Sequence, residues 1–174
     1  MEGSIEMTNR KNICKILMCV VLPFVIIFIE AGISEADLLA DIYPQIIDQL
    51  MNFDTDAVLD TVVNTARNNM GKKSGDEINK LYAIENSLNA GGVSSVEIKR
   101  HKNEIERKMD VSGFSSQDEA DRALRDSENK SAIFITWVGK QNWITARDRQ
   151  KLIDNVNKNY AGFVKSAASS FSAQ

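Results

Sequence analysis

Three side chains that could bind a divalent metal stand at helical spacing in a charged stretch of the sequence. Glu97, His101 and Glu104 would share one face of a helix, because residues three or four apart lie above one another. Imidazole with carboxylates is a usable ligand set. The same residues also fit a solvated charged face, and no supporting partner stands near them. We therefore expect no metal site and no cofactor.

The groups needed for nucleophilic catalysis are not arranged in a recognisable way. His101 is the only histidine, and a serine or cysteine hydrolase needs a histidine beside its nucleophile. No G-x-S-x-G is present, and Gly91-Gly92 is not followed by lysine and serine at the spacing of a phosphate-binding loop. We predict that the protein is not an enzyme. An enzyme that uses carboxylates alone stays as the third functional hypothesis, since Asp and Glu are plentiful.

Clustered aromatic residues in the second half of the chain are the strongest candidates for a binding site. Trp137 and Trp143 lie six residues apart with Phe134 nearby. Rings of this size fill a core, line a cavity for an apolar ligand, or anchor a protein partner. Gly162 would let a helix or a ligand approach its neighbour Phe163 closely. We expect a cavity for a lipid-like ligand, with these candidate residues: Tyr82, Phe134, Trp137, Trp143, Tyr160 and Phe163.

The charge balance argues against nucleic-acid binding, and a glycosylation motif is consistent with an exported protein. Residues 37–174 carry 18 basic and 20 acidic side chains, so they have no general attraction to nucleic acid. The basic run that contains Lys99, Arg100 and Lys102 is interleaved with acids, as on a solubilising surface. Asn129-Lys-Ser131 matches the N-glycosylation acceptor and is expected on an exposed turn.

The pattern of the N-terminal region predicts a secretory signal peptide over residues 1–36. The uncharged run Ile16–Ile29 has 14 residues, which as a helix reach roughly 21 Å, short of a bilayer core of ~30 Å. A basic patch precedes it, and Ser34-Glu35-Ala36 offers the small residues that a signal peptidase accepts. The alternative is an uncleaved signal anchor. Either Met1 or Met7 could be the true start. Both cysteines fall in this region, so residues 37–174 contain no thiol or disulfide.

Residues 37–174 show helical periodicity throughout and predict one all-α bundle of about six helices. Adjacent apolar pairs repeat every four residues from Leu38 to Met51, where Pro44 predicts a kink or a fresh helix start. Asp54 or Thr55 should cap the next helix, and Gly71 should end it. Capping boxes at Ser74–Glu77, Ser94–Glu97 and Ser116–Glu119 predict three further helix starts.

The last part of the chain combines one ambiguous segment with one clear helix. Ile133–Val138 has the β-branched and aromatic residues of a strand, but no partner strand is evident, so we predict a buried helix. Thr145 should cap a final helix that runs to about Phe171. Its long apolar face predicts that the other helices pack around it.

Together these features predict a secreted, non-catalytic helical binding protein that carries a lipid-like apolar ligand. The alternative is a membrane-anchored extracytoplasmic domain that binds a protein partner. The two differ in whether residues 1–36 are removed, because only an uncleaved segment would keep the domain on a membrane.

The processing hypothesis predicts that protein recovered outside the cell begins at Asp37, directly after the small-residue exit. Mass spectrometry of the intact secreted chain measures this. Recovery of a chain that starts at Met1 or Met7 in a membrane pellet would contradict cleavage and support the signal anchor.

Overall fold

The computed structural model describes residues 37–93 and 95–171. These residues form six helices and no strand: α1 is Leu38–Met51, α2 Thr55–Asn69, α3 Gly75–Ala90, α4 Ser95–Val111 and α5 Gln117–Lys140, while α6 consists of an α-helical segment Ala146–Val156, a π-helical segment Asn157–Ala161 and a second α-helical segment Gly162–Phe171. The predicted all-α fold is thereby confirmed. The predicted signal peptide and the capping residue Ser94 lie outside the described residues. Over the described ranges, no helix combines the length and apolarity that crossing a bilayer requires.

Local hydrogen bonds at two helix starts match the sequence prediction. At α3, the Glu77 amide donates to Ser74 Oγ at 3.3 Å, and the Ser74 amide donates to Glu77 Oε2 at 3.2 Å. This is the complete capping box. At α6, the Asp148 amide donates to Thr145 Oγ1 at 3.2 Å. Each cap satisfies an amide that the first helical turn leaves without a partner.

The start of α5 uses its predicted box residues differently. The Glu119 amide donates to Ser116 Oγ as expected, but the Glu119 carboxylate turns to the preceding residue and accepts from the Ser115 amide at 2.7 Å. Lys108 from the end of α4 also donates to this carboxylate. The bonds from Lys108 and then Ser115 lower the pKa of Glu119 to about 2. The Glu119 carboxylate therefore links α5 to the end of α4 and to the turn between them, and it does not complete a capping box.

The other predicted boundaries hold, and α1 passes through its proline. Asp54 caps α2 by accepting from the Ala57 amide at 3.1 Å, and α2 ends two residues before Gly71, whose φ is +78°. α1 continues through Pro44, so a fresh start there is excluded. The helix survives the missing amide because Leu38 before it and Ile46 after it are both buried in the core.

The ambiguous segment Ile133–Val138 is helical, as predicted, but it is only the end of a 24-residue helix. Phe134, Trp137 and Val138 are buried at helical spacing, whereas Ile133 is 45% exposed. The segment is thus amphipathic rather than buried on all sides. Packing of one helical face has overridden the strand preference of its β-branched residues.

The six helices pack as two layers of three. α1, α2 and α3 contact one another, as do α4, α5 and α6, and the layers meet where α1 packs on α6 and α2 packs on α4. Fully buried side chains come from both layers: Ile46, Leu50, Val58 and Leu81 from the first, and Phe134, Leu152, Val156 and Tyr160 from the second. The core is therefore shared between the layers, rather than built around α6 as the sequence had suggested.

A π turn interrupts α6 and brings Tyr160 into the core. Leu152, Val156, Tyr160 and Val164 are buried at intervals of four residues, and each interval advances about 40° around an α-helix. A π turn has more residues per turn, so it reverses part of this rotation and keeps the four buried side chains on one face of α6. A Cβ on Gly162 would lie 2.8 Å from the Asn157 carbonyl oxygen. The missing side chain of Gly162 thus makes room for the backbone of α6 itself, and no second helix of the described ranges approaches this position within 4 Å.

Phe53 has a backbone conformation that a bulky residue seldom adopts. It follows α1 with a φ of 57°, in a turn where its amide bonds to the Leu50 carbonyl and the Asp54 amide bonds to the Gln49 carbonyl. This is the Schellman motif, whose left-handed position usually holds glycine. The Phe53 ring is nevertheless buried, between Phe134 of α5 and Tyr160 of α6.

Two phenylalanine truncations should separate core packing from surface packing. Phe53→Ala should cost ~3–5 kcal/mol of unfolding free energy, the usual penalty for removing a buried phenyl ring. Phe163→Ala should cost roughly 1–2 kcal/mol, because Phe163 is only partly buried and less apolar area returns to water. Urea titrations of both variants measure the difference. Equal losses would show that Phe163 belongs to the core as fully as Phe53.

Candidate functional site

Seven aromatic rings form a continuous chain through the molecule. Ring centroids lie 5.9–6.4 Å apart at each step along this order: Tyr43, Trp143, Trp137, Phe134, Phe53, Tyr160 and His101. Four of the six steps are edge-to-face and the other two are tilted, and edge-to-face is an arrangement that aromatic pairs favour. Three of its six steps join the two layers: Tyr43–Trp143, Phe134–Phe53 and Phe53–Tyr160.

Four of the six candidate ligand residues belong to this chain, and two do not. Phe134 and Tyr160 are fully buried within it, and the space beside Phe134 amounts to about 10 Å³. These two rings are therefore packed as core. Tyr82 and Phe163 are half-buried at other positions of the core's edge, and Lys102 Nζ lies 5.4 Å from the centroid of the Phe163 ring.

A groove of about 680 Å³ lies at the Trp143 end of the ring chain, between the two layers. We call it the Trp143 groove. Three segments line it: Asp37, Leu39, Ala40 and Tyr43 from α1 and its cap, Lys80, Ala83 and Ile84 from α3, and Gln141, Asn142, Trp143 and Thr145 from the α5–α6 turn. Of the six predicted residues, Trp143 alone contributes to this lining. The groove's walls are mainly apolar, with polar groups at both ends.

A buried amide fixes the indole that forms one wall of the groove. Gln141 Oε1 accepts hydrogen bonds from Trp143 Nε1 at 3.1 Å and from Ser87 Oγ at 3.2 Å. Gln141 Nε2 donates to the Trp137 carbonyl at 2.9 Å. Because Gln141 is itself buried, these bonds are shielded from water and hold Trp143 in one orientation.

The second indole, Trp137, is held against α3 by a close approach to the backbone. Its Nε1 donates to the Ser87 carbonyl at 3.0 Å, and a Cβ on Gly91 would lie 2.6 Å from its ring. Only glycine leaves this space open at position 91. Gly91 directly follows the end of α3, and its role beside Trp137 depends on a residue 46 positions away in the sequence.

Ionic and hydrogen bonds secure the two ends of the groove. Lys80 Nζ lies 2.6 Å from Asp37 Oδ2, and this bond lowers the pKa of the Asp37 carboxyl. At the other end, the Tyr43 hydroxyl donates to Asp148 Oδ2 and accepts from the Thr145 amide, both at 3.0 Å. Hydrogen bonds to Asp148, first that from Thr145, lower the pKa of its carboxyl. Tyr43 thereby joins α1 to the start of α6.

The charged triplet considered as a metal site does not converge. His101 Nδ1 lies 2.9 Å from the Tyr160 hydroxyl oxygen, at the far end of the ring chain, while Glu97 and Glu104 are exposed. Across the described ranges, no group of three or more His, Cys, Asp or Glu side chains could hold a metal ion.

Asn129, the candidate glycosylation residue, is exposed, but it lies within α5 and not on a turn.

Comparison of the chain with protein-family models, with curated proteins and with solved structures found no match. The geometry of the described residues therefore carries the functional argument.

Sequence reasoning missed most of the groove because its walls come from three distant segments. In the sequence, Leu39 and Tyr43 are members of an apolar stripe, and Lys80 and Gln141 belong to no recognisable motif. The one usable hint was the adjacent-pair pattern in α1. Leu38 of the first pair is buried, and its partner Leu39 remains half-exposed on the groove wall. When the apolar stripe of a helix is wider than the area that neighbouring helices bury, part of it stays as apolar surface beside the core.

The single histidine should produce a pH dependence of stability. Burial, and next the charge of Lys130, lower the pKa of His101, although Asp126 and Glu104 act in the opposite direction. A folded-state pKa below the unfolded value of ~6.5 means that unfolding takes up a proton in acid. Stability should therefore be constant above pH ~7 and fall as pH decreases below ~6.5, by at most ~1.4 kcal/mol per pH unit for one proton.

The matched variant is His101→Gln, which cannot titrate and keeps an amide near Tyr160. Urea titrations between pH 7.5 and 5, above the range in which the lowered carboxyl pKa values act, should show the slope in the wild type only. A slope of the same size in both proteins would rule out His101 as its source.

Proposed function

We propose that this protein is an exported, non-catalytic binding protein that holds one small apolar or amphipathic ligand in the Trp143 groove. The observation that carries the proposal is the groove itself. Its volume of about 680 Å³ falls within the ~300–1,000 Å³ that small-molecule sites occupy. Its walls combine apolar side chains with a few fixed polar groups, which is the usual composition of such sites.

Preorganisation of the wall supports binding by the groove. Trp143 is half-buried, and its indole donates a hydrogen bond to Gln141 and contacts the rings of Tyr43 and Trp137. A ring that is already fixed loses little conformational freedom when a ligand packs on it. The site we propose thus differs from the interior cavity expected from the sequence, because Phe134 and Tyr160 are occupied in packing the core.

The other two hypotheses have less support. A carboxylate enzyme needs a general acid with a raised pKa, whereas the carboxyl groups with shifted pKa values in the described part of the chain, Asp37, Asp54, Glu119 and Asp148, are all shifted down. A protein-interaction domain needs an exposed apolar face. The large exposed apolar residues of the described chain are Met70, just after α2, Val111, at the end of α4, and Ile133, within α5. Export rests on the signal-peptide pattern of residues 1–36.

Filling the groove should weaken the binding of an apolar probe. N-phenyl-1-naphthylamine is neutral and fluoresces more strongly in apolar surroundings, so its titration reports occupancy of the groove. Ala83→Phe places a ring in the groove lining and should weaken probe binding about tenfold or more, a loss of ~1.4 kcal/mol. Ala90→Phe is the control, because Ala90 is exposed on the same helix but outside the lining.

Two results would count against this proposal. The wild-type protein could fail to bind the probe, or Ala83→Phe and Ala90→Phe could bind it as well as the wild type does. In the second case the probe occupies another site.

A further inference from the structure

Within the described part of the chain, one arginine beside the Trp143 groove is held without a carboxylate partner. Arg149, in the first segment of α6, is half-buried. Its Nη2 donates to the Gln141 carbonyl at 2.7 Å and to the Ile144 carbonyl at 3.2 Å. Its Nε is buried and has no hydrogen-bond partner among the described residues. A guanidinium in this position normally pairs with an anion, because its charge is costly to remove from water alone.

The acids near the groove already have their own cations. Asp37 pairs with Lys80 at 2.6 Å, and Asp148 pairs with Lys151 at 3.1 Å. Among these five charged groups, Arg149 is left as the surplus positive charge. It lies directly behind the turn of residues 141–145, which forms one end of the groove.

The same turn offers hydrogen-bond donors to a ligand. Gln141 Nε2 carries two N–H groups, and within the described residues one hydrogen bond from it is found, to the Trp137 carbonyl. The neighbouring Asn142 amide is exposed on the groove lining. Donors next to a positive charge favour a ligand group that is both negative and an acceptor.

We propose that the ligand of the Trp143 groove is a single-chain amphiphile with a carboxylate head group. The carboxylate lies at the turn of residues 141–145, within the field of Arg149, and the alkyl chain lies against Trp143 and the half-buried wall of α1. This inference rests on the binding function proposed above and adds the chemistry of the head group. Lys80 has a lesser part, because Asp37 already neutralises it at the other end of the groove.

The test compares ligands that differ only in the head group. Decanoate, methyl decanoate and decyltrimethylammonium, each below its micelle-forming concentration, displace N-phenyl-1-naphthylamine from the wild-type protein at one ionic strength. Decanoate should be effective at a concentration about tenfold lower than that of the ester, since the ester lacks the charge that Arg149 attracts. The ammonium compound should be the weakest of the three.

Variants then assign the preference to Arg149. Arg149→Gln should bring decanoate and its ester to within about threefold of each other, whereas Arg149→Lys keeps the charge and should retain most of the preference. Arg125→Gln, at an exposed position of α5 outside the groove lining, should behave as the wild type does. Far-ultraviolet circular dichroism checks that each variant is folded. If Arg149→Gln does not fold, the Lys variant and the ligand series on the wild type decide.

The outcomes distinguish the two proposals. If the probe binds and all three ligands displace it equally, or the ammonium compound is best, the carboxylate inference is wrong and the groove remains a binding site. If the probe does not bind at all, the binding function itself fails. A preference for decanoate that persists in Arg149→Gln would place the head group elsewhere.

Discussion

The burial of the Phe53 ring between Phe134 and Tyr160 is the contact on which the two-layer architecture depends. It joins the α1–α2 turn to α5 and α6. The left-handed backbone at Phe53 costs roughly 1–2 kcal/mol for a residue with a Cβ. Removing the ring would cost ~3–5 kcal/mol. Glycine at position 53 would remove the backbone strain but also the buried ring. Because the packing energy of the ring exceeds the backbone cost, phenylalanine occupies a position that usually holds glycine.

The groove is a consequence of the same ring chain. From Phe53 the contacts pass through Phe134 to Trp137, which Gly91 admits against α3, and from there to Trp143. The indole that forms the groove wall is thus positioned by packing that begins in the middle of the core. Because the walls come from both layers, a bound ligand would contact both. Such a ligand would stabilise the fold as well as occupy the site, since it binds only the folded state.

Local features were predictable from the sequence and long-range ones were not. The capping box of Ser74 and Glu77 and the glycine after α2 involve residues within four positions of each other, so their chemistry is visible in a short window. The turn after α1 shows the limit of this reasoning. Asn52 is the residue that sterics favour for a positive φ, yet Asn52 has a φ of −89° and Phe53 takes the left-handed position. Only the distant rings that surround Phe53 explain the choice.

The junction of α5 and α6 brings fold and proposed function together. Arg149 bonds to the carbonyls of Gln141 and Ile144, so it has a structural role at the end of α5, where the helix dipole leaves roughly half a negative charge. That partial charge offsets only about half of the guanidinium. The start of α6 adds a partial positive charge of similar size, and the nearby Asp148 carboxylate is already paired with Lys151. A residual positive potential therefore remains at the turn that carries Gln141 and Asn142. The turn that ends one helix and starts the next thus favours an anionic group at this end of the groove.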